Sequence, residues 1–131
     1  MAWWGVTVSS INDRLKMIAA TTAWTDVDIE SCLDFAEVNL KARFHANFSQ
    51  FFDIWDAGSA PDAMQEMYRQ VAICELLQRI HDRNSMLIGS EDLKKRMRER
   101  DRMASRIQMG RVSWDSYGAD LRKIGSARIE R

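Results

Sequence analysis

The side chains best suited to metal or nucleophilic chemistry in this chain are Cys32, His45, Cys74 and His81. Zinc asks for paired ligands, two close cysteines or two close histidines, and these spacings supply neither. Cys74 and His81 fall on one helix face seven residues apart, yet each has a simpler use. A thiol in an apolar pattern packs as a small hydrophobe, and a histidine near a helix end is favoured there when it carries positive charge. Cys32 and Cys74 both lie in such patterns and read as buried free thiols in a reducing compartment. A di-iron bundle would need Glu-x-x-His on two helices, but Glu75 precedes Gln78 and Glu37 precedes Leu40. Ser59, in DAGSAP, lacks the strand–turn–helix setting of a hydrolase nucleophile. No phosphate loop and no G-x-G-x-x-G occurs. The sequence therefore predicts no enzyme, no metal and no cofactor.

Charge is the second chemistry available. The chain is neutral overall, with 19 basic and 19 acidic residues. Residues 1–90 hold 7 basic and 12 acidic side chains, a net of −5, while residues 91–131 hold 12 and 7, a net of +5. Such a division favours head-to-tail contact between copies, or attraction of the basic end to an acidic partner or to nucleic acid. Lys94, Lys95, Arg98 and Arg102 are the candidate contacts to DNA or to an acidic surface. Glu91, Asp92, Glu99 and Asp101 are interspersed among them and weaken a purely electrostatic reading. No helix-turn-helix signature accompanies the basic run, so sequence-specific DNA reading is not expected.

The elements that must position these residues follow from apolar periodicity. Hydrophobic residues make up 46% of the chain, enough for one small helical domain. Residues 1–9, with Trp3, Trp4 and the β-formers Val6-Thr7-Val8, read as an extended N-terminal segment. Ser10 is placed to cap a first helix striped by Ile11, Leu15 and Ile18. Thr25 caps a second, on which Ile29, Leu33, Ala36, Leu40 and Phe44 alternate steps of four and three up to Phe48. Phe51, Phe52, Ile54 and Trp55 then gather in an aromatic loop closed by Gly58 and Pro61. Pro61 opens a third helix, apolar over so much of its girth that it must sit centrally or face two partners. Ser90 caps a fourth, with a thin apolar stripe of Leu93, Met97, Ala104 and Ile107. Gly110 closes it, and residues 111–131 form a C-terminal arm that mixes aromatic, aliphatic and basic residues. The fold class is all-α: a small four-helix bundle over residues 10–110, with an extended N-terminal segment and a long C-terminal arm. No run of eighteen apolar residues occurs, and no basic segment leads into an apolar one at the N-terminus, so neither a membrane span nor a secretory signal is expected.

The order of these features resembles the small head–tail connector proteins (adaptor, or head-completion proteins) of tailed bacteriophages. The resemblance runs over residues 9–114. A short helix, SSINDRLKMIA, precedes a long one, DVDIESCLDFAEVNLKARF. A loop with proline leads into a central helix, PDAMQEMYRQVAICELLQRIHDR, and a charged helix ends in MASRIQMGRVSWD. The likeness lies in pattern and element order and not in a diagnostic motif. The tryptophan pair and the chain after Trp114 have no match in it.

The resemblance implies a mechanical role in the neck of a virion made in the host cytoplasm. Such proteins form a ring, commonly dodecameric, beneath the portal. The ring extends the DNA channel and offers a surface to the next neck or tail-completion protein. Their C-terminal arm grips the portal. Here that arm would anchor through Trp114, Tyr117, Leu121 and Ile124, with Arg122, Lys123, Arg128 and Arg131 meeting acidic portal surface or DNA. Trp3, Trp4, Phe51, Phe52 and Trp55 are candidate contacts to neighbouring subunits or neck proteins. The implied partners are copies of the chain, the portal, the next neck component and, without specificity, packaged DNA; no membrane is among them. The alternative is a small helical nucleic-acid-associated or regulatory protein that uses its basic fourth helix.

Overall fold

The computed structural model describes residues 3–18, 24–86 and 88–109. They are helical in four main elements, with no strand among them: α1 (Val8–Ile18), α2 (Asp26–Phe48), α3 (Asp62–Arg83) and α4 (Ser90–Gln108). The all-α expectation holds, and the arrangement is compatible with a four-helix bundle. The C-terminal arm and Gly110 lie outside the described residues.

α2 begins where its capping chemistry dictates. The Thr25 hydroxyl accepts from the Asp28 backbone N–H at 3.3 Å, and the Asp28 carboxylate accepts from the Thr25 N–H at 2.9 Å. Two orphan donors of the first turn are thereby satisfied. α1 starts earlier than expected. Thr7, not Ser10, stands at its head, accepting from the Ser10 N–H at 3.2 Å, and Val8 is already helical. Pro61 stands one residue ahead of α3 in an extended conformation, and Gly89 one residue ahead of α4.

The core is built as the stripes predict. Ile11 and Leu15 of α1 and Ile29, Leu33, Ala36, Leu40 and Phe44 of α2 are fully buried. α3 is central, packing against α1, α2 and α4, and buries residues around most of its girth from Met64 to Ile80. α4 buries Leu93, Ala104 and Ile107 in this core, with Met97 and Met103 packed half-buried against it.

The N-terminal segment departs from the extended expectation. Trp3, Trp4 and Gly5 form a tight turn with φ of 42°, 58° and 91°. Left-handed backbone is costly for tryptophan, and the burial of Trp4 supplies the compensation. Its indole is 0% exposed and packs edge-on to Trp55 (centroids 5.0 Å) and Tyr68 (5.3 Å). Gly5 is required by sterics as well as by conformation. A Cβ there would stand 2.8 Å from Gln65 Nε2 and 3.1 Å from the Gly58 carbonyl.

The aromatic stretch is likewise not an open loop. It winds through a 3₁₀ turn (Ser49–Phe51), one α turn (Phe52–Ile54) and a wide π turn (Trp55–Ser59) that Gly58 ends at φ 97°. Trp55 stacks on Phe51 and lies within 5.9 Å of Phe48 and Phe52 by ring centroid. The linker is thus a lid, pinned to the body by its own rings.

Candidate interaction surfaces

The chemistry-bearing side chains do not converge. Cys32 and Cys74 are buried free thiols on α2 and α3. Burial pushes the Cys32 thiol up to about 11 and raises Cys74 as well, so both are poor nucleophiles. His45 is exposed on α2, while His81 at the end of α3 donates from Nδ1 to the Ile88 carbonyl at 2.8 Å. That carbonyl can only accept, which fixes the tautomer and ties down the α3–α4 connection. Among the described residues no group of three or more metal-ligand side chains occurs.

The aromatic residues expected at subunit contacts are mostly spent on the core. Trp4 and Trp55 are 0% and 2% exposed, so neither is available to a partner. Their polar ends are satisfied internally. The Trp4 indole N–H donates to Asp56 at 2.9 Å, and Asp56 also takes Lys41 at 2.8 Å. Phe51 and Phe52 are half-buried against the same cluster. Trp3 is half-buried too, and its N–H donates to Asp34 on α2 at 2.9 Å. The physical reason is common to all five: large rings next to an incompletely covered core end bury themselves before a partner can.

Among the described residues two surfaces stand out. The first is the solvent side of α4. Lys95, Arg98, Arg102 and Arg106, spaced by three and four, form one exposed stripe, with Lys94 beside it. None of these five makes an ion pair with another described residue, whereas Arg100 on the inner edge is engaged with Asp101 at 3.1 Å. A cleft of about 390 Å³ runs along this stripe, lined by Gln70, Glu99, Arg102, Met103 and Arg106.

The second surface was not anticipated. On α2, opposite the buried stripe, Val27 and Val38 are 73% and 72% exposed and Phe35 is 41% exposed. Ser31, Ala42 and Ala46 continue this uncharged line and are exposed as well. The first half of α2 carries Asp26, Asp28, Glu30, Asp34 and Glu37 and no basic residue, but Arg83 pairs with Asp28 at 3.5 Å, Lys41 with Glu37 at 3.4 Å, Trp3 donates to Asp34 and Arg79 donates to Ser31. The signal was present in the sequence, as apolar residues that the core stripe of α2 leaves unused.

The two surfaces belong to one body. Arg43 near the end of α2 pairs with Asp101 of α4 at 3.3 Å, and Gln108 donates to the Arg43 carbonyl at 3.1 Å. The anchors expected in the arm, Trp114, Tyr117, Leu121, Arg122, Lys123, Ile124, Arg128 and Arg131, lie outside the described residues. Compared with known protein families, with curated proteins and with solved structures, the chain has no match.

Proposed function

We propose that this chain is a structural head–tail adaptor of a tailed phage. It assembles as a ring beneath the portal, extends the DNA channel and receives the next neck protein, and the arm after Gly110 docks on the portal. One observation carries the reading. A single helical body presents an acid-bearing, partly apolar face on α2 and, on α4, a basic stripe without an ion pair among the described residues. Two unlike, complementary surfaces on one subunit suit heterologous contacts, which close into rings when the rotation allows. The element order of the phage adaptors, with which this helical body is compatible, supports the same reading.

Co-sedimentation with the portal ring of the same genome tests it. The full chain is expected to sediment with the portal, and a chain ending at Gly110 is expected to remain in the supernatant. Failure of both to bind would overturn the reading.

The basic stripe of α4 favours a second reading, non-specific association with nucleic acid. If its four aligned cations each met a phosphate, binding would fall with salt at a slope of about −3.6 in log–log terms. Portal binding through aromatic anchors would survive the same increase in salt.

A further inference from the structure

The cleft along α4 combines side chains of unlike chemistry. Arg102 and Arg106 line it one helical turn apart, Glu99 shares it, and Gln70 of α3 and Met103 complete it. The two arginines and Glu99 are exposed, while Gln70 and Met103 are half-buried. Gln70 donates to Glu66 at 3.0 Å, which holds its amide at the cleft wall. At about 390 Å³ the space is of the size that takes a small ligand or one unit of a polymer.

Three observations identify the occupant. The first is charge. Within α4 the ion pairs involve Arg100 and Asp101. Lys94, Lys95, Arg98, Arg102 and Arg106 are exposed and have no ion pair among the described residues. A polyanion meets them without displacing an internal partner. The second is spacing. Arg98, Arg102 and Arg106 follow one another by four positions, a rise of about 6 Å per step. Neighbouring phosphates of one flexible strand can settle on such a row, as in the basic grooves that track a single-stranded backbone. The third is the mixed polarity of the cleft. A bare anion there would face Glu99 as well as the two arginines. A nucleotide suits both signs. Its phosphate meets an arginine, its base lies on a guanidinium plane or on Met103, and an exocyclic amine donates to the Glu99 carboxylate. A base that is paired and stacked in a duplex reaches such a cleft only by being flipped out, at an energetic cost.

We propose that the outer side of α4 is a single-strand nucleic-acid site. The row of cations tracks the backbone, and the cleft takes one unpaired base that carries an exocyclic amine, such as cytosine. This inference rests on the nucleic-acid reading above and not on the adaptor reading. It adds to that reading a strand state and a base preference.

Fluorescence anisotropy of the full chain with labelled oligo-dC, oligo-dT and an oligo-dC·oligo-dG duplex of equal length tests it. The arm after Gly110 carries cations of its own, so the differences between variants are what belong to α4. Oligo-dC is expected to bind several-fold tighter than either oligo-dT or the duplex at the same salt. Glu99→Ala, at an exposed position, is expected to keep the thermal midpoint and to bind oligo-dC and oligo-dT equally. Arg102→Ala is expected to weaken both and to reduce the log–log salt slope by about 0.7. Equal binding of duplex and single strands would overturn the inference and leave the nucleic-acid reading standing. A preference for oligo-dC that persists in Glu99→Ala would overturn it too. Binding of none of the three would remove the nucleic-acid reading along with it, and would leave an acidic protein surface as the partner of α4.

Discussion

At the scale of single residues, the N-terminal turn concentrates the most energy in the fewest atoms. Trp4→Ala removes a fully buried indole and leaves a cavity between Trp55 and Tyr68. A loss of about 3–5 kcal/mol is expected in urea denaturation. Gly5→Ala adds one methyl group where both the left-handed φ and the Gln65 amide forbid it, and about 1–3 kcal/mol is expected to be lost. Tyr68 is a milder case. Its hydroxyl donates to the Leu33 carbonyl at 2.7 Å inside the core, and Tyr68→Phe is expected to cost about 1 kcal/mol. Little of this was legible. Adjacent tryptophans followed by β-formers read as extended chain, because local propensity cannot register that two rings from the linker and α3 will hold a strained turn in place.

Acid sensitivity is also set by single side chains. Burial alone would raise the Glu66 carboxyl, but donors from Arg14 and Gln70 outweigh it and hold Glu66 below its ordinary 4.5. The Thr25 backbone N–H does the same for Asp28, whose ordinary value is 3.8. A carboxyl with a depressed folded pKa stabilises the fold above its unfolded value and loses that contribution as pH falls through the folded one. The urea midpoint is therefore expected to hold steady near neutrality and to drop below about pH 4.5. In Glu66→Gln the drop is expected to be shallower, and an unchanged acid limb would show that other carboxyls dominate.

At the scale of elements, α2 and α3 were the most legible parts of the chain. Steps of four and three from Ile29 to Phe44 identify a core stripe with few alternatives, and all five named positions of α2 are fully buried. The Thr25 cap was legible for the same reason: hydroxyl chemistry at a helix start is local. Thr25→Ala is expected to cost about 1 kcal/mol, read as a lower thermal midpoint. The aromatic linker was less legible. Its glycine and proline signalled a break, but its winding depends on Trp55 finding Phe48, Phe51 and Phe52. Such contacts cross element boundaries and leave no period in the sequence. The outer line of α2 was overlooked for the opposite reason. A core stripe is sought first, and Val27, Phe35 and Val38 fall outside it.

At the scale of the whole molecule, the charge division seen in the sequence becomes two faces of one body. If the adaptor assembles by joining the acidic face of α2 to the basic stripe of α4, ring formation is expected to weaken as salt rises. Reversing Arg98 and Arg102 together to Glu is expected to abolish assembly while leaving the thermal midpoint of the monomer nearly unchanged, since both are exposed and unpaired among the described residues. Analytical ultracentrifugation with parallel thermal melts distinguishes these outcomes. Loss of fold in that double variant would place the two arginines in the stability of the body instead. The candidate surfaces were only half legible because charge is visible in a sequence, while exposure is decided by which side of each helix the others leave uncovered.

The docking of Trp4 also orders events in time. Its indole bonds Asp56 and packs against Tyr68, partners 52 and 64 positions further along the chain. During synthesis the Trp4 ring lacks its full pocket until the chain has been made as far as Tyr68, in the first third of α3. Contacts of such sequence separation form slowly, because the intervening loop must close first. The nascent chain thus carries an exposed tryptophan pair through the making of α1, α2 and the linker.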